Sequence, residues 1–213
     1  MGLTTLDGQP LAAGTVYCIG RNVFAHALEL GNEPPSEPLV FLKSAAALRG
    51  LEGPLGFPDE TFHHEAEVVL VLGEDVAHGA DPGWSCVRGV ALGLDLTRRQ
   101  VQNALKKKGL PWTTAKSFLG SAIVGPVVPL EQFADPDRIR FSLHVNDALR
   151  QQGDLGELSF DVPDLLRRLA ALHPLAAGDL VYTGTPAGVG PIQRGDRFSL
   201  RFEAPALTFD GVL

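Results

Sequence analysis

The sequence has 213 residues, which is long enough for one domain with a sizeable core, and its composition excludes several classes of protein. Hydrophobic residues make up 45% and charged residues 20%, which is typical of a globular chain and excludes a disordered tail. The net charge of -7 and the pI near 5.3 disfavour nucleic acids and anionic membranes as partners.

The cysteine content and the amino-terminal sequence indicate the cellular compartment of the protein. Cys18 and Cys86 are too few for a disulfide framework, so a reducing compartment is expected. The opening MGLTTLDGQP lacks the charged and apolar regions of a signal peptide, and no stretch approaches the roughly 18 apolar residues of a membrane helix. We therefore expect a cytoplasmic protein that does not bind membranes.

The first predicted helix spans residues 22–30, NVFAHALEL. Asn22 is expected to cap its start, and Gly31 is expected to end it. Because this helix is short and precedes the loop GNEPPSEP, it is expected to be marginally stable alone and able to move.

Buried strands and a second helix follow. The apolar runs at 67–72 and 88–94 predict strands that are buried on both faces. Good helix formers over 97–108 predict a helix with an apolar side, and Gly109 is expected to end it. Its apolar side consists of Val101, Ala104 and Leu105. Three lysines in its last turn match the negative end of the helix dipole and need no nucleic-acid ligand.

Two further strands are predicted from a different pattern. Residues 139–145 and 196–203 alternate apolar and polar side chains, as a strand with one buried face does.

A third helix is predicted over about 163–172, with Pro163 in its first turn. With 24 glycines and 16 prolines in addition, the sequence indicates a chain of short strands and turns with few helices.

The segment FHHEAEVVLVLG, residues 62–73, is the most informative. In a strand, Glu65 and Glu67 share one face roughly 6 to 7 Å apart, where they repel each other unless a cation or proton lies between them. Asp95 stands at the end of another apolar strand, just before a helix. Three carboxylates form a hard oxygen site that suits Mg²⁺, Mn²⁺ or Ca²⁺ better than Zn²⁺. The alternative is that these are solvated acids and a helix-capping aspartate.

A base for acid–base chemistry is suggested by the first helix. His26 and Glu29 are three residues apart and therefore neighbours on one helical face. Glu29 could orient the imidazole as a general base toward water, although most such pairs only decorate a surface.

Two other groups could contact a ligand. Lys116, in PWTTAKSF, lies in an apolar and aromatic setting, where a lysine is costly to bury unless its stem only covers the surface. The Gly-rich turn at 183–191 offers backbone N–H groups and Thr185 to an anion. It lacks the Gly-Lys-Ser/Thr ending of a nucleotide-binding loop, so ATP and GTP are not expected.

Taken in order, these segments resemble the fumarylacetoacetate hydrolase family, in particular its short members. The resemblance covers most of the chain after about residue 15, through the stretches IGRNVFAHALELGNEPPSEPLVFLK (19–43), HHEAEVVLVLG (63–73), GLDLTRRQVQNALKKKGLPWTTAKSF (93–118), VNDALRQQGD (145–154) and GDLVYTGTPAGVGP (178–191).

The resemblance implies a fold and an organisation. We expect an α+β, predominantly β fold, a mixed β-roll or β-sandwich with a few short helices and a mobile lid helix within residues 22–32. Residues 1–213 would form one catalytic domain with a short extension at 1–15. A homodimer is implied, with Mg²⁺ or Mn²⁺ as the cofactor and Ca²⁺ as a substitute in crystals.

The resemblance also implies site residues, carried over position by position. The implied metal ligands are Glu65, Glu67 and Asp95, the implied catalytic residues are His26, Glu29 and Lys116, and the implied substrate-binding residues are Arg21, Gln102 and Thr185. Three departures from the family pattern, Val23, Leu119 and Ile123, make the pocket more apolar or reshape its wall and leave the substrate open.

The activity implied is metal-dependent hydrolysis of a C–C bond in a β-diketo acid of the acylpyruvate type. The products are a keto acid and a carboxylic acid, formed through an enolate held by the metal. The presence of both His26 and Glu29 favours hydrolysis. Decarboxylation or tautomerisation of oxaloacetate, isomerisation of a 2-hydroxy-dienoate in aromatic catabolism, and a non-enzymatic module that binds metal or keto acid are the alternatives.

Overall fold

Strands dominate the computed structural model, which describes residues 3–23, 36–51 and 60–213. Three α-helices occur in this part of the chain, namely α1 (Arg99–Lys107), α2 (Thr113–Lys116) and α3 (Val162–Leu172). The strands are β1 (Leu3–Thr4), β2 (Pro10–Leu11), β3 (Val16–Gly20), β4 (Leu39–Lys43), β5 (Leu48–Arg49), β6 (Thr61–His64), β7 (Ala66–Leu72), β8 (Val87–Asp95), β9 (Ala122–Val124), β10 (Val128–Pro129), β11 (Arg140–Val145), β12 (Ala148–Asp154), β13 (Leu180–Tyr182), β14 (Gly190–Gln193), β15 (Arg197–Phe202) and β16 (Leu207–Val212).

The main sheet has eight strands and is mixed. Its order is β4-β3-β13-β7-β8-β9-β5, and β10 also pairs with β8. The pairs β3·β13 and β5·β9 are parallel, and the other pairs are antiparallel. A second, antiparallel sheet has the order β12-β11-β15-β16, while β1·β2 and β6·β14 form two small pairs. The predicted α+β, predominantly β fold is confirmed.

Both faces of β7 are buried, each in a different core. Val68 and Leu70 pack in a core that also contains Leu143 and Leu200 from the four-stranded sheet. Val69 lies on the opposite face, in the second core. Because side chains alternate along a strand, a strand with a core on each face is apolar on both faces, as the sequence predicted for 67–72, and only Glu67 at its start is charged.

The predicted elements outside the lid are confirmed, with one exception in detail. Along β11, buried and half-exposed or exposed residues alternate as the sequence predicted. The predicted apolar side of α1 is wrong, because Val101 and Ala104 are exposed and Leu105 is only half-buried, whereas Gln102 is buried. The helix turns a polar face inward because that face meets charged groups rather than an apolar core.

The predicted lid falls almost entirely on residues 24–35, which lie outside the described part of the chain. Asn22, at the edge of this gap, is buried. Its amide donates to the carbonyl oxygens of Phe160 and Thr183 at 3.1 and 2.8 Å, and its oxygen accepts from the Phe160 N–H. This side chain therefore joins distant segments, and the helix cap predicted for it is not tested. Among the described helices, none is long and apolar enough to cross a bilayer.

Candidate metal centre and substrate cavity

The pairing of β7 with β8 brings three acids together. In this antiparallel pair the start of β7 lies beside the end of β8, with Glu67 opposite Gly93. The chain before β7 continues the pairing, because the Asp95 N–H donates to the Glu65 carbonyl oxygen at 2.8 Å. Glu67 continues the face of β7 that carries Val69, so its carboxylate lies at the margin of the second core.

Glu65, Glu67 and Asp95 form a buried carboxylate cluster. One oxygen of each lies within 4.8 Å of the corresponding oxygens of the other two. The three residues are only 7%, 2% and 1% exposed, in that order. Buried carboxylates at this spacing repel each other strongly, so cations must neutralise them.

Two buried lysines supply part of that neutralisation. Lys116 Nζ lies 2.7 Å from Glu65 Oε2 and 2.6 Å from Asp95 Oδ2, so it bridges two members of the cluster. Lys43 Nζ lies 2.7 Å from Asp95 Oδ1. Lys43 directs its protons to three carbonyl oxygens, those of Leu96, Lys116 and Ser121, and so ties together the segments that carry the cluster.

Arg99 and Gln102, on the inner face of α1, complete one side of the site. Arg99 pairs with Glu65 Oε1 through Nη2, and its Nη1 donates to Gln102 Oε1 at 2.6 Å. The two residues are three positions apart, so they lie on one face of the helix. This shared contact explains why Gln102 is buried in a helix that is otherwise mostly exposed.

The Gly-rich turn after β13 contacts the other side of the cluster. The Gly184 N–H donates to Glu67 Oε2 at 2.7 Å. The sequence predicted that the N–H groups of this turn bind an anionic ligand, but this one binds a carboxylate of the protein. The Thr185 hydroxyl donates to the Ala66 carbonyl oxygen at 2.9 Å. It accepts from Gln151 Nε2 at 2.7 Å, which holds the turn against the start of β7.

Electrostatics affect Glu65, Glu67 and Lys116 differently within the site. Burial alone would raise the pKa of Glu65, but Lys116 and Arg99 lower it to about 2. Burial, and then the charges of Asp95 and Glu65, raise the pKa of Glu67 well above its ordinary value. Burial opposes the charge of Lys116, yet Asp95 and Glu65 raise its pKa above that of a free lysine, so it remains a cation.

The cluster fits a hard divalent cation. All three side chains offer carboxylate oxygens, the ligands that Mg²⁺ and Mn²⁺ prefer. Asp95 Oδ1 is buried and receives no hydrogen bond from the described residues, since the protons of the nearby Lys43 point elsewhere. A cation would satisfy this oxygen and relieve the repulsion that raises the pKa of Glu67.

A cavity of about 290 Å³ opens onto the cluster. Besides the three acids, its polar lining consists of Arg21, Arg99, Gln102, Lys106, Lys116 and Thr185, and its apolar lining includes Ile19, Phe41 and Trp112. This volume suits a small organic acid. Larger hollows lie elsewhere on the surface, but they have no such group of buried ionisable side chains among their described residues.

The structure brings together seven of the nine site residues predicted from the sequence. The seven that line the cavity are Glu65, Glu67, Asp95, Lys116, Arg21, Gln102 and Thr185. His26 and Glu29 lie outside the described residues. Arg21 has a φ of 62°, a left-handed conformation that is rare for a residue other than glycine.

Sequence reasoning missed Lys43 and Arg99. Lys43 ends the apolar run LVFLK two residues after Phe41, so a period of two already placed it on the side of Phe41. Arg99 follows Asp95 by four residues at the start of the helix. The sequence contains both of these spacings, but neither spacing distinguishes a buried cation from an ordinary surface residue.

The fold and this cluster define an α+β protein with a candidate site for a divalent cation. A family model described as fumarylacetoacetate (FAA) hydrolase C-terminal matches residues 15–209. The chain therefore belongs to the fumarylacetoacetate hydrolase family, as its motifs predicted.

Curated relatives and solved structures show the same likeness. Oxaloacetate tautomerase FAHD1, mitochondrial, of Bos taurus is 40% identical over 184 residues, covering 85% of this chain and 83% of the relative. Oxaloacetate tautomerase YcgM of Escherichia coli (strain K12) is 36% identical over 197 residues, covering 91% and 90%. The crystal structure of fumarylpyruvate hydrolase from Pseudomonas aeruginosa in complex with Mn²⁺ and pyruvate is 34% identical, with a TM-score of 0.89, and the match covers 100% of this chain and 96% of that one.

Proposed function

We propose that this chain is an enzyme that requires Mg²⁺ or Mn²⁺ and stabilises the enolate of a β-keto acid. The reaction that we assign to it is interconversion of the keto and enol forms of oxaloacetate. The observation that carries the proposal is the convergence of Glu65, Glu67 and Asp95 with the ammonium of Lys116 at one end of the cavity. The two relatives at 36% and 40% identity, both named oxaloacetate tautomerases, support the choice of substrate.

The charges of the site favour a ligand with two negative charges. The three carboxylates, when ionised, are balanced by three cations, Lys43, Lys116 and Arg99. Once bound, a divalent cation would polarise the keto group and stabilise the charge that develops on the enolate oxygen. With Arg21 and Lys106 also lining the cavity, the loaded site then has a surplus of positive charge, which favours a dicarboxylate over a monocarboxylate.

Among the described residues, we distinguish those that would hold the cation from those that would stabilise negative charge on the substrate. Against the effect of burial, Asp95 and Glu65 raise the pKa of Lys116, and we assign it the role of a positive charge beside the substrate. Its contact with Asp95 uses Oδ2, and we assign the cation to Oδ1, which lies beside Lys43 but receives no hydrogen bond from the described residues. Arg99 faces the same cavity and can pair with a carboxylate of the substrate as well as with Glu65.

Interconversion moves a proton between the carbon next to the keto group and the enol oxygen, so removal of the proton from carbon requires a base. We assign this step to His26, oriented by Glu29. The assignment rests on their spacing and on the family resemblance.

The reaction is tested by following the ultraviolet absorbance of enol-oxaloacetate with Mn²⁺ and protein, against a blank with the same Mn²⁺ and no protein. We expect Mn²⁺-dependent acceleration that a chelator abolishes. Lys116→Met should lower it by about 100-fold, since a buried charge at the enolate oxygen is removed. Lys107→Met, a change to an exposed lysine at the end of α1, is the control. Full activity after chelation would contradict the proposal, as would the absence of acceleration.

Hydrolysis of an acylpyruvate is the second candidate, because its C–C cleavage also releases the enolate of a keto acid. It is supported by the spacing of His26 and Glu29 in the sequence and by the similar crystal structure of a fumarylpyruvate hydrolase. Assays with an acylpyruvate and Mg²⁺, with release of keto acid and carboxylic acid as the readout, separate the two. Should hydrolysis be the reaction, His26→Ala must abolish it, and full-rate hydrolysis by that variant would remove the pair from the scheme.

A further inference from the structure

Lys106 differs from the other two lysines of the run at 106–108. All three lysines are exposed, but only Lys106 lines the cavity that opens onto the carboxylate cluster. The helix dipole, which explained the whole run from the sequence, accounts for a cation near the end of α1. It does not explain why one of the three reaches the cavity.

The inner face of α1 leads from the cluster to Lys106. Arg99, Gln102 and Lys106 follow each other at intervals of three and four residues, so they share one face. Seven residues of α-helix span about 10 Å, so Lys106 starts roughly two turns away from the arginine that contacts Glu65. The helix thus presents one cation at the cluster and another farther along the cavity.

The two lysines of the cavity contact different rings of one aromatic pair. Lys116 Nζ lies 5.0 Å from the centroid of the Phe41 ring, and Lys106 Nζ lies 4.8 Å from that of the Trp112 ring. The two rings pack edge to face with centroids 6.1 Å apart. The contact with the indole favours a position of the Lys106 ammonium over Trp112, whereas Lys116 lies over Phe41.

Near Lys106, the described residues of the cavity include cations that have no acid partner among them. Within the described residues neither Arg21 nor Lys106 forms an ion pair, although Lys106 remains accessible to solvent. Partial burial of its ammonium, and then the charges of Arg99 and Arg21, lower the pKa of Lys106. An anionic group bound between these cations would relieve their repulsion.

We propose that Lys106 determines specificity by binding the distal carboxylate of a dicarboxylate keto acid whose keto-acid end lies at the carboxylate cluster. The inference rests on the proposed function and adds to it the residue that distinguishes a dicarboxylate from a shorter acid. Lys106 would contact the substrate away from the reacting atoms, so it should contribute to binding more than to the chemical step.

The experiment compares a ligand that has a distal carboxylate with one that has none. Oxaloacetate has such a group, whereas oxalate has only the two carboxylates that would face the cation. The variants are Lys106→Met, which keeps the length of the side chain, and Lys106→Arg, which keeps its charge. Lys107→Met is the matched control on the exposed side of the run. All are measured with Mn²⁺-loaded protein, for the KM of oxaloacetate and the Kd of oxalate.

We expect Lys106→Met to raise the KM for oxaloacetate roughly five- to tenfold, with a smaller effect on kcat and an oxalate Kd within about twofold of the original. Lys106→Arg and Lys107→Met should stay within about twofold for both ligands. The inference is overturned if Lys106→Met leaves the KM unchanged, or if it weakens oxalate and oxaloacetate equally.

A failure of the proposed function gives a different result. If the unmodified protein binds oxalate but does not turn over oxaloacetate, the assigned reaction is wrong, and competition of oxaloacetate against oxalate then measures the contribution of Lys106. If the unmodified protein binds neither ligand, the proposed function and the role of Lys106 fall together.

Discussion

The main-chain N–H of Gly184 donates a hydrogen bond of 2.7 Å to Oε2 of Glu67. This contact joins the Gly-rich turn to the carboxylate cluster and needs a close approach of the backbone. Gly184 has a φ of +113°, and a Cβ added to it would lie 2.9 Å from the Cβ of Asn22. Only glycine meets both demands without strain.

Gly184→Ala should therefore destabilise the fold and weaken the metal site. We expect a loss of about 1–3 kcal/mol in the free energy of unfolding, measured by urea denaturation, from backbone strain and the contact with Asn22. Mn²⁺ affinity should fall as well, because the donor to Glu67 moves. Gly195→Ala is the control, since Gly195 has a φ of +91° but nothing within 4 Å of an added Cβ. Equal effects of the two changes would contradict this account.

Removal of Lys43 should cost more than removal of an exposed lysine. Lys43→Met deprives three buried carbonyl oxygens of their donor and Asp95 of a cation at 2.7 Å. The expected loss is about 3–5 kcal/mol of unfolding free energy, measured by urea denaturation. Lys43→Arg should not restore the stability, because a planar guanidinium cannot donate to three converging carbonyl oxygens as an ammonium does. Lys107→Met should change it by no more than about 0.5 kcal/mol. A similar small effect at Lys43 would show that its contacts do not support the fold.

Metal binding should release a proton. Burial and the neighbouring acids raise the pKa of Glu67, and a cation binds the ionised carboxylate. Below this raised pKa the binding of Mn²⁺ displaces the proton, so affinity should fall as the pH is lowered through it. Calorimetric titration with Mn²⁺ in two buffers of different ionisation heat counts the protons released. Affinity that is independent of pH between about pH 5 and pH 8, with no proton released, would contradict a shifted Glu67 as ligand.

The predictable parts of this protein were those with a regular pattern in the chain. Alternation along 139–145 and continuous apolar residues at 67–72 identified a one-sided and a two-sided strand, because burial fixes the side-chain pattern of a strand. The acids at 65, 67 and 95 could be proposed as a site because they follow or precede such strands. Their convergence required the antiparallel pairing of β7 with β8, which no local pattern specifies.

The inner face of α1 shows where local pattern fails. Apolar residues at 101, 104 and 105 predicted the buried side, yet the helix buries Gln102. The contact between Arg99 and Glu65 orients the helix, and that contact depends on tertiary structure. The sequence pattern explained Lys106 by the helix dipole alone. Its position in the cavity depends on the orientation of the helix and on the contact with Trp112, and neither can be read from a local pattern.

The most direct test of the carboxylate cluster is a titration with Mn²⁺ followed by the electron paramagnetic resonance signal of the free ion. The account predicts one Mn²⁺ per chain, with affinity at least about tenfold weaker in Asp95→Asn and Glu67→Gln. Asp154→Asn, which changes an acid paired with Arg138 and Arg140 outside the cavity, should leave the affinity unchanged. Unaltered affinity in both cluster variants, or no binding by the unmodified protein, would contradict the central claim.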